Sequence, residues 1–416
     1  MNDPKSLQHS KEIRTLNIAL VGMGTVGKGL LEILTQKATW LLTERNLQIG
    51  VSGIITRNNG VFNAENIEEV LAPSQAVKFS QKKHTSAAEH TATPPPTILA
   101  QTPKYNSITT TLHTQPTRPE IHSTTAANPT ATVAETPHNE ELTAQEQRSE
   151  LDDVLDFIAN PLHDVIIELT PTIIAKTPTA AFRHIEHALK LSKNVITANK
   201  GPIAEHYDPL NQLAQSNHCN LLFEATVLSG TPVFNLHKYA LAGTKLHALE
   251  GVLNGTSNFI LDKMTHGVSY REALKEAQTL GYAESDPSYD ISGKDAMLKT
   301  VILAKTFFTG AIDFAAVPYE GIDKLTLAAI KSAHAEHTCY KLIGRIEQKT
   351  ETTISAQVVL KKIPFSHPLA SVTGNFNAIN FETDLLGTIT VVGKGAGKFT
   401  AAYGVFNDLL TLSKTN

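Results

Sequence analysis

A glycine turn near the N-terminus limits what this chain can fold into more than any other feature. Gly22-Met23-Gly24-Thr25-Val26-Gly27 follows the short apolar run Leu16–Val21 directly and opens a helical pattern over Val26–Leu34. In that strand, turn and helix setting, each glycine of Gly-x-Gly-x-x-Gly has a physical task. The first permits the tight turn, the second lets backbone approach a pyrophosphate, and the third lets the helix lie close to the strand. The anion would sit on the helix N-terminus, where free N–H groups and the helix dipole favour negative charge. Residues Gly22 to Gly27 are therefore expected to bind a dinucleotide; glycines of an ordinary strand–helix turn are the plainer alternative.

The rest of the chain repeats the same grammar. Strands are expected at Ile49–Ile55, Asp164–Leu169, Asn194–Thr197 and Leu221–Ala225, with an amphipathic helix over Pro178–Leu191 that Thr177 would cap. Strands alternating with helices argue for an α/β fold with a Rossmann-type parallel sheet. From about Leu249 the pattern changes to helices at Gly255–His266, Ser269–Leu280 and Ser292–Phe308, then strands around Lys341–Lys362, which reads as an α+β unit. Between Gln81 and Glu140, 15 of 60 residues are Thr and 8 are Pro, against seven Val, Ile, Leu or Tyr, too few to offset the entropy of ordering. The expected plan is a polar tail at 1–15 and a nucleotide domain at 16–230, broken by a disordered insertion at about 78–150. A substrate and dimerisation domain would follow at 231–389, and a C-terminal segment at 390–416 would return to the nucleotide domain.

A net charge of −4, from 36 basic and 40 acidic side chains, gives no strong field for nucleic acid or anionic membrane. Cys219 and Cys339 are too few for a disulfide framework or a Cys-based zinc site. With no apolar signal core and no membrane-length apolar run, the expectation is a soluble, cytoplasmic protein. The second strand should end in an acid if the ribose 2′-hydroxyl of NAD is to be held, but the sequence reads Gly53-Ile-Ile-Thr56-Arg57-Asn58. Thr56 and Arg57 suit a 2′-phosphate and favour NADP, unless Arg57 is simply a solvated loop charge.

The second constellation runs from Gly281 to Lys299. Asp295 and Lys299 stand four apart on an expected helix and share one face. An exposed ion pair would explain that spacing, yet Glu284, Asp286 and Asp290 crowd the entry to the same helix. Carboxylates beside one lysine could bind an ammonium group and keep a proton-transfer lysine poised.

These segments together resemble the homoserine dehydrogenase family, which interconverts homoserine and aspartate semialdehyde on the route to threonine, methionine and isoleucine. The resemblance is carried by the Gly22–Gly27 turn, Thr197–Pro202, Glu224–Pro232, Gly251–Asn258, Gly281–Lys299, and Gly393–Gly397 followed by Thr400-Ala, in family order. It implies Lys299 as proton donor and acceptor at the substrate oxygen, with Asp295 beside the reacting group. Glu284, Asp290 and Lys200 would hold substrate, Lys200 where nicotinamide and substrate meet. Thr170 and Gly397 match cofactor-contacting positions. Glu224, Val227, Ser229 and Thr231 match a monovalent cation site, such as one for Na⁺, formed largely by backbone carbonyls. A homodimer is also implied.

Three points depart from the family or compete with it. Met23 in the turn is expected to point outward, and Lys394 stands where the family has Pro or Ala. The C-terminus follows Gly397 so closely that no regulatory domain is expected. The histidine pairs His184/His187 and His334/His337 lack a matching third ligand and read as structural rather than metal-binding. A catalytically idle dinucleotide sensor, with the insertion as docking arm, and a dehydrogenase of another small semialdehyde are the alternatives.

Overall fold

The computed structural model describes residues 12–57, 60–63, 144–175 and 177–414. Its first sheet contains β1 (Arg14–Val21), β2 (Leu47–Thr56), β3 (Gly60–Asn63), β4 (Val165–Glu168), β5 (Asn194–Thr197) and β6 (Leu221–Leu222), in the order β3-β2-β1-β4-β5-β6. All pair in parallel except β3, which returns antiparallel along β2. Ile18 and Leu20 on β1 and Ile166 and Ile167 on β4 are fully buried, as expected of a sheet covered on both faces. The strand order reverses between β1 and β4, and a crevice opens beyond the carboxyl ends at such a switch point. The Gly22 turn and residues 169–170 stand at that position.

The crossover helices are α1 (Thr25–Arg45), α2 (Ala144–Ala159), α3 (Ala180–Lys190) and α4 (Lys200–Ser216). Most of the expected insertion lies outside the described residues, but α2 occupies its end. The Thr/Pro bias stops at Glu140, and from Ala144 the sequence consists largely of Gln, Glu, Leu, Asp and Arg, mostly straight-chain helix formers. The cap of α3 is Thr179, whose hydroxyl accepts from Phe182 N, rather than Thr177. The expected strand at Leu221–Ala225 stops at Leu222, because Glu224 turns into a 3-10 helix.

The second sheet is antiparallel, in the order β11-β10-β7-β8-β9, from β7 (Leu246–Val252), β8 (Thr338–Gln348), β9 (Ile354–Pro364), β10 (Phe376–Thr383) and β11 (Gly387–Lys394). Its helices are α5 (Gly255–Thr265), α6 (Tyr270–Thr279), α7 (Lys294–Phe307) and α8 (Leu327–Ala335). Leu249, Leu342, Ile346, Ile379 and Phe381 share one core with Leu298, Val301 and Ile302 of α7, and that core continues into Ile166, Val195 and Ile203 of the first unit. β11 crosses the expected boundary at 390 and ends at Lys394. The chain then returns as α9 (Lys398–Leu412), whose Ala402, Val405, Phe406 and Leu409 join Leu30 and Leu34 of α1 in the core under β1. Among the described residues, no helix is long and apolar enough to cross a membrane.

Candidate active site

The glycine turn is built as its spacing requires. Gly22 has φ +94, and a Cβ there would crowd Leu169 and Thr170 backbone at 3.1–3.2 Å. Gly24 has open space where a Cβ would stand, room for a ligand to reach backbone, and Gly27 packs on the turn beneath Met23. Met23 does not point outward: it is half-buried and, with Val26, lies against the α1 core.

Beside Gly22, the end of β4 carries a buried polar network. Glu168 is fully buried and accepts from Thr170 N at 3.1 Å, from the Thr170 hydroxyl, and from Thr197 Oγ1 at 3.2 Å. Asn199 donates to the Thr170 and Pro171 carbonyls at 3.1 and 3.2 Å and accepts from Gly201 N at 3.1 Å, capping α4. Lys200, the first residue of α4, is aimed from that cap toward α7.

On α7, Asp295 Oδ2 lies 2.7 Å from Lys299 Nζ, and Oδ1 lies 3.4 Å from Lys200 Nζ. The two α7 side chains are only 9% and 11% exposed, which removes the exposed-pair explanation of their spacing. Gly293 permits the entry to α7: its φ is +84, and a side chain would collide with the Glu320 carbonyl. Asn254, the α5 cap, bridges the carboxylates, donating to Asp290 Oδ1 at 2.6 Å and Asp295 Oδ2 at 2.9 Å. Burial alone would raise Asp295, but the ammonium groups of Lys299 and Lys200 outweigh it and hold the carboxyl well below the usual range. Asp290 is pushed up by burial and then by Asp295, so one carboxylate stays ionised while its neighbour is more readily protonated.

Lys299 Nζ also donates to the Leu253 carbonyl at 2.8 Å. An ammonium has three N–H donors, and two are thereby engaged, leaving the third for a substrate oxygen. A continuous run of contacts thus joins Gly22, Thr170, Asn199, Lys200, Asp295 and Lys299. Glu284 and Asp286 are exposed, and among the described residues the Glu284 carboxylate makes no hydrogen bond or ion pair. The role of Asn254 was hidden in the sequence because Asn-Gly-Thr-Ser reads as a helix cap; its second amide function depends on α7 arriving beside it.

Arg57 Nε pairs with Glu150 Oε1 of α2 at 3.3 Å while its side chain remains 65% exposed. In the loop after β6, the Glu224 carboxylate is taken up by Phe234 N at 2.9 Å and Asn235 N at 3.0 Å. Its backbone N–H donates to the buried carboxylate of Asp408 at 2.9 Å. Ser229 has φ +58, and among the described residues the Val227 and Ser229 carbonyls accept no hydrogen bond, which fits a carbonyl-held cation. Thr231 N donates to the Leu228 carbonyl, turning the loop, and Ser229 Oγ meets Thr400 Oγ1 at 3.1 Å, three residues into the chain beyond Gly397. Among the described residues, no group of three or more His, Cys, Asp or Glu could hold a metal ion.

Family models match two stretches. Residues 107–224 match the homoserine dehydrogenase NAD binding domain, and residues 232–410 match homoserine dehydrogenase. An NAD(+)-dependent homoserine dehydrogenase of Pseudomonas canavaninivorans is 40% identical over 253 residues, 61% of this chain and 71% of that protein. The homoserine dehydrogenase of Methanocaldococcus jannaschii is 38% identical over 257 residues, 62% of this chain and 74% of that protein. Among solved structures, a homoserine dehydrogenase from Thiobacillus denitrificans superposes with a TM-score of 0.70 at 26% identity, covering 97% of this chain and 74% of that one.

Proposed function

The chain belongs to the homoserine dehydrogenase family, and from that membership we propose how its residues interconvert L-homoserine and L-aspartate 4-semialdehyde with a nicotinamide dinucleotide. The observation that carries the assignment of roles is the unbroken run of contacts from the Gly22 turn to the buried Lys299–Asp295–Lys200 group. When bound, the nicotinamide exchanges hydride with the substrate carbon that bears oxygen. Lys299 moves the coupled proton, giving the proton of its third N–H to the nascent alkoxide in reduction and, as the neutral amine, accepting the hydroxyl proton on its lone pair in oxidation. Asp295 is the fixed anion that directs Lys299, and Lys200 adds a second positive charge at the same carboxylate. Asp290 and Glu284 receive the polar groups of the substrate.

Glycines 22, 24 and 27, with Thr25, Thr170 and Gly397, would hold the dinucleotide. NADP is the preferred form in this reading, because β2 ends in Thr56-Arg57 with no acid, and the exposed Arg57 can exchange Glu150 for a 2′-phosphate. A monovalent cation would be held by the carbonyls of Glu224, Val227, Ser229 and Thr231, since the Glu224 carboxylate is engaged elsewhere. A homodimer through the second sheet is supported by exposed Phe376 and Val392 at its β10–β11 edge, and a cytoplasmic setting suits two free cysteines. The idle-sensor alternative is not favoured, because such a protein has no need of a buried lysine–carboxylate group beside its nucleotide turn.

Purified protein mixed with L-homoserine and NADP⁺ or NAD⁺ should generate reduced nicotinamide, followed by absorbance. Lys299→Ala should lower kcat by about 10²-fold or more and leave dinucleotide binding intact. Unchanged turnover would remove Lys299 from its role; reduction with another alcohol but not homoserine would change the substrate.

A further inference from the structure

We infer that Asn377 is a positioning residue for the acid/base lysine: its amide fixes the Leu253 carbonyl against which the Lys299 ammonium is seated. The inference rests on the role of Lys299 given above. Asn377 lies on β10 and is fully buried. Its Nδ2 donates to the Leu253 carbonyl at 3.2 Å, the same oxygen that accepts from Lys299 Nζ at 2.8 Å. The opposite amide orientation would set oxygen against oxygen. β7 pairs with β10 as far as Val252 opposite Ala378, so Leu253 lies one residue beyond the ladder, and among the described residues no backbone N–H donates to its carbonyl. The side chain of Asn377 does so instead.

The other half of the amide points to the same conclusion. Asn377 Oδ1 is buried with no hydrogen-bond partner among the described residues. It faces Gly395 and Gly255, where a Cβ would stand 2.5 Å and 3.4 Å from it. A buried amide with an unpaired oxygen stabilises a fold poorly, and an apolar side chain of the same shape would serve stability better. What an apolar side chain could not do is orient the lysine's carbonyl. Gly395 lies in the turn between β11 and α9, so Asn377 also sits between the seat of Lys299 and the turn whose Gly397 is read as coenzyme-contacting.

Asn377→Leu, close to asparagine in shape, separates the two roles. The expected result is a melting temperature equal to or above that of the parent, unchanged NADPH binding, a kcat lower by roughly 10- to 100-fold, and little change in KM for homoserine. The same substitution should have no further effect in a Lys299→Ala background. Asn377→Ala should give the same kinetics and serves if the leucine variant does not fold. Full turnover in the variants, an undiminished further loss in the Lys299→Ala background, or a loss of kcat that tracks losses of stability and NADPH binding would overturn the inference alone. A Lys299→Ala enzyme with full turnover would overturn the lysine's role and the inference together.

Discussion

Burial decides what each charged residue here can do. Lys299 and Asp295 are spaced like many solvated helix pairs, but lie where water reaches them little, so their attraction is screened less and their geometry is fixed. Lys200, at 24% exposure, meets the same carboxylate from another element. His163 shows burial acting on a group outside the site. Its Nδ1 hydrogen-bonds with Ser52 Oγ at 2.7 Å, its Nε2 is buried with no hydrogen-bond partner among the described residues, and burial followed by the Lys193 charge lowers its pKa from 6.5 to about 4. Protonation therefore favours the unfolded chain. The stability from neutral His163 is fully present above pH 6.5 and is lost as pH falls toward 4. Melting temperatures between pH 7 and pH 4 should fall more steeply for the parent than for His163→Gln; parallel curves would show that another group carries the acid sensitivity.

At the scale of elements, the parallel strands and helices α1, α3, α5, α6 and α7 are legible in the sequence because their hydrophobic periodicity is punctuated, whereas α2, α4, α8 and α9 carry no comparable signal. β3, β7, β10 and β11 likewise carry no clear signal in the sequence. β7 abuts the α5 pattern, and β10 and β11 form a hairpin whose outer strand alternates exposed and half-exposed residues with little apolar contrast. The end of β2 gives the coenzyme prediction. Arg57 meets Glu150 there, and the partner comes from α2, beyond a long stretch of intervening sequence. Arg57→Ala should weaken NADPH binding more than NADH binding, measured as the ratio of their dissociation constants, because it removes the cation facing a 2′-phosphate. Equal weakening of both would make Arg57 a bystander.

At the scale of the whole molecule, a core shared between the two sheets and the return of α9 onto α1 tie the Gly22 turn to α7. The Thr/Pro-rich stretch adds little to that core by composition, so deletion of residues 81–140 should preserve homoserine oxidation and cooperative unfolding. Loss of both would identify an ordered element there. The sequence by itself determined the strand–turn–helix at Gly22–Gly27, the fold class and the Asp295/Lys299 pair, because these rest on short-range spacing and backbone permissiveness. Tertiary structure alone decided that Asn254 bridges Asp290 and Asp295, that Asn377 shares the Leu253 carbonyl with Lys299, and that Glu224 turns its carboxylate to Phe234 and Asn235. The physical reason is that an amide or carboxylate acquires its partner only when a distant segment packs beside it, and local periodicity carries no record of that neighbour.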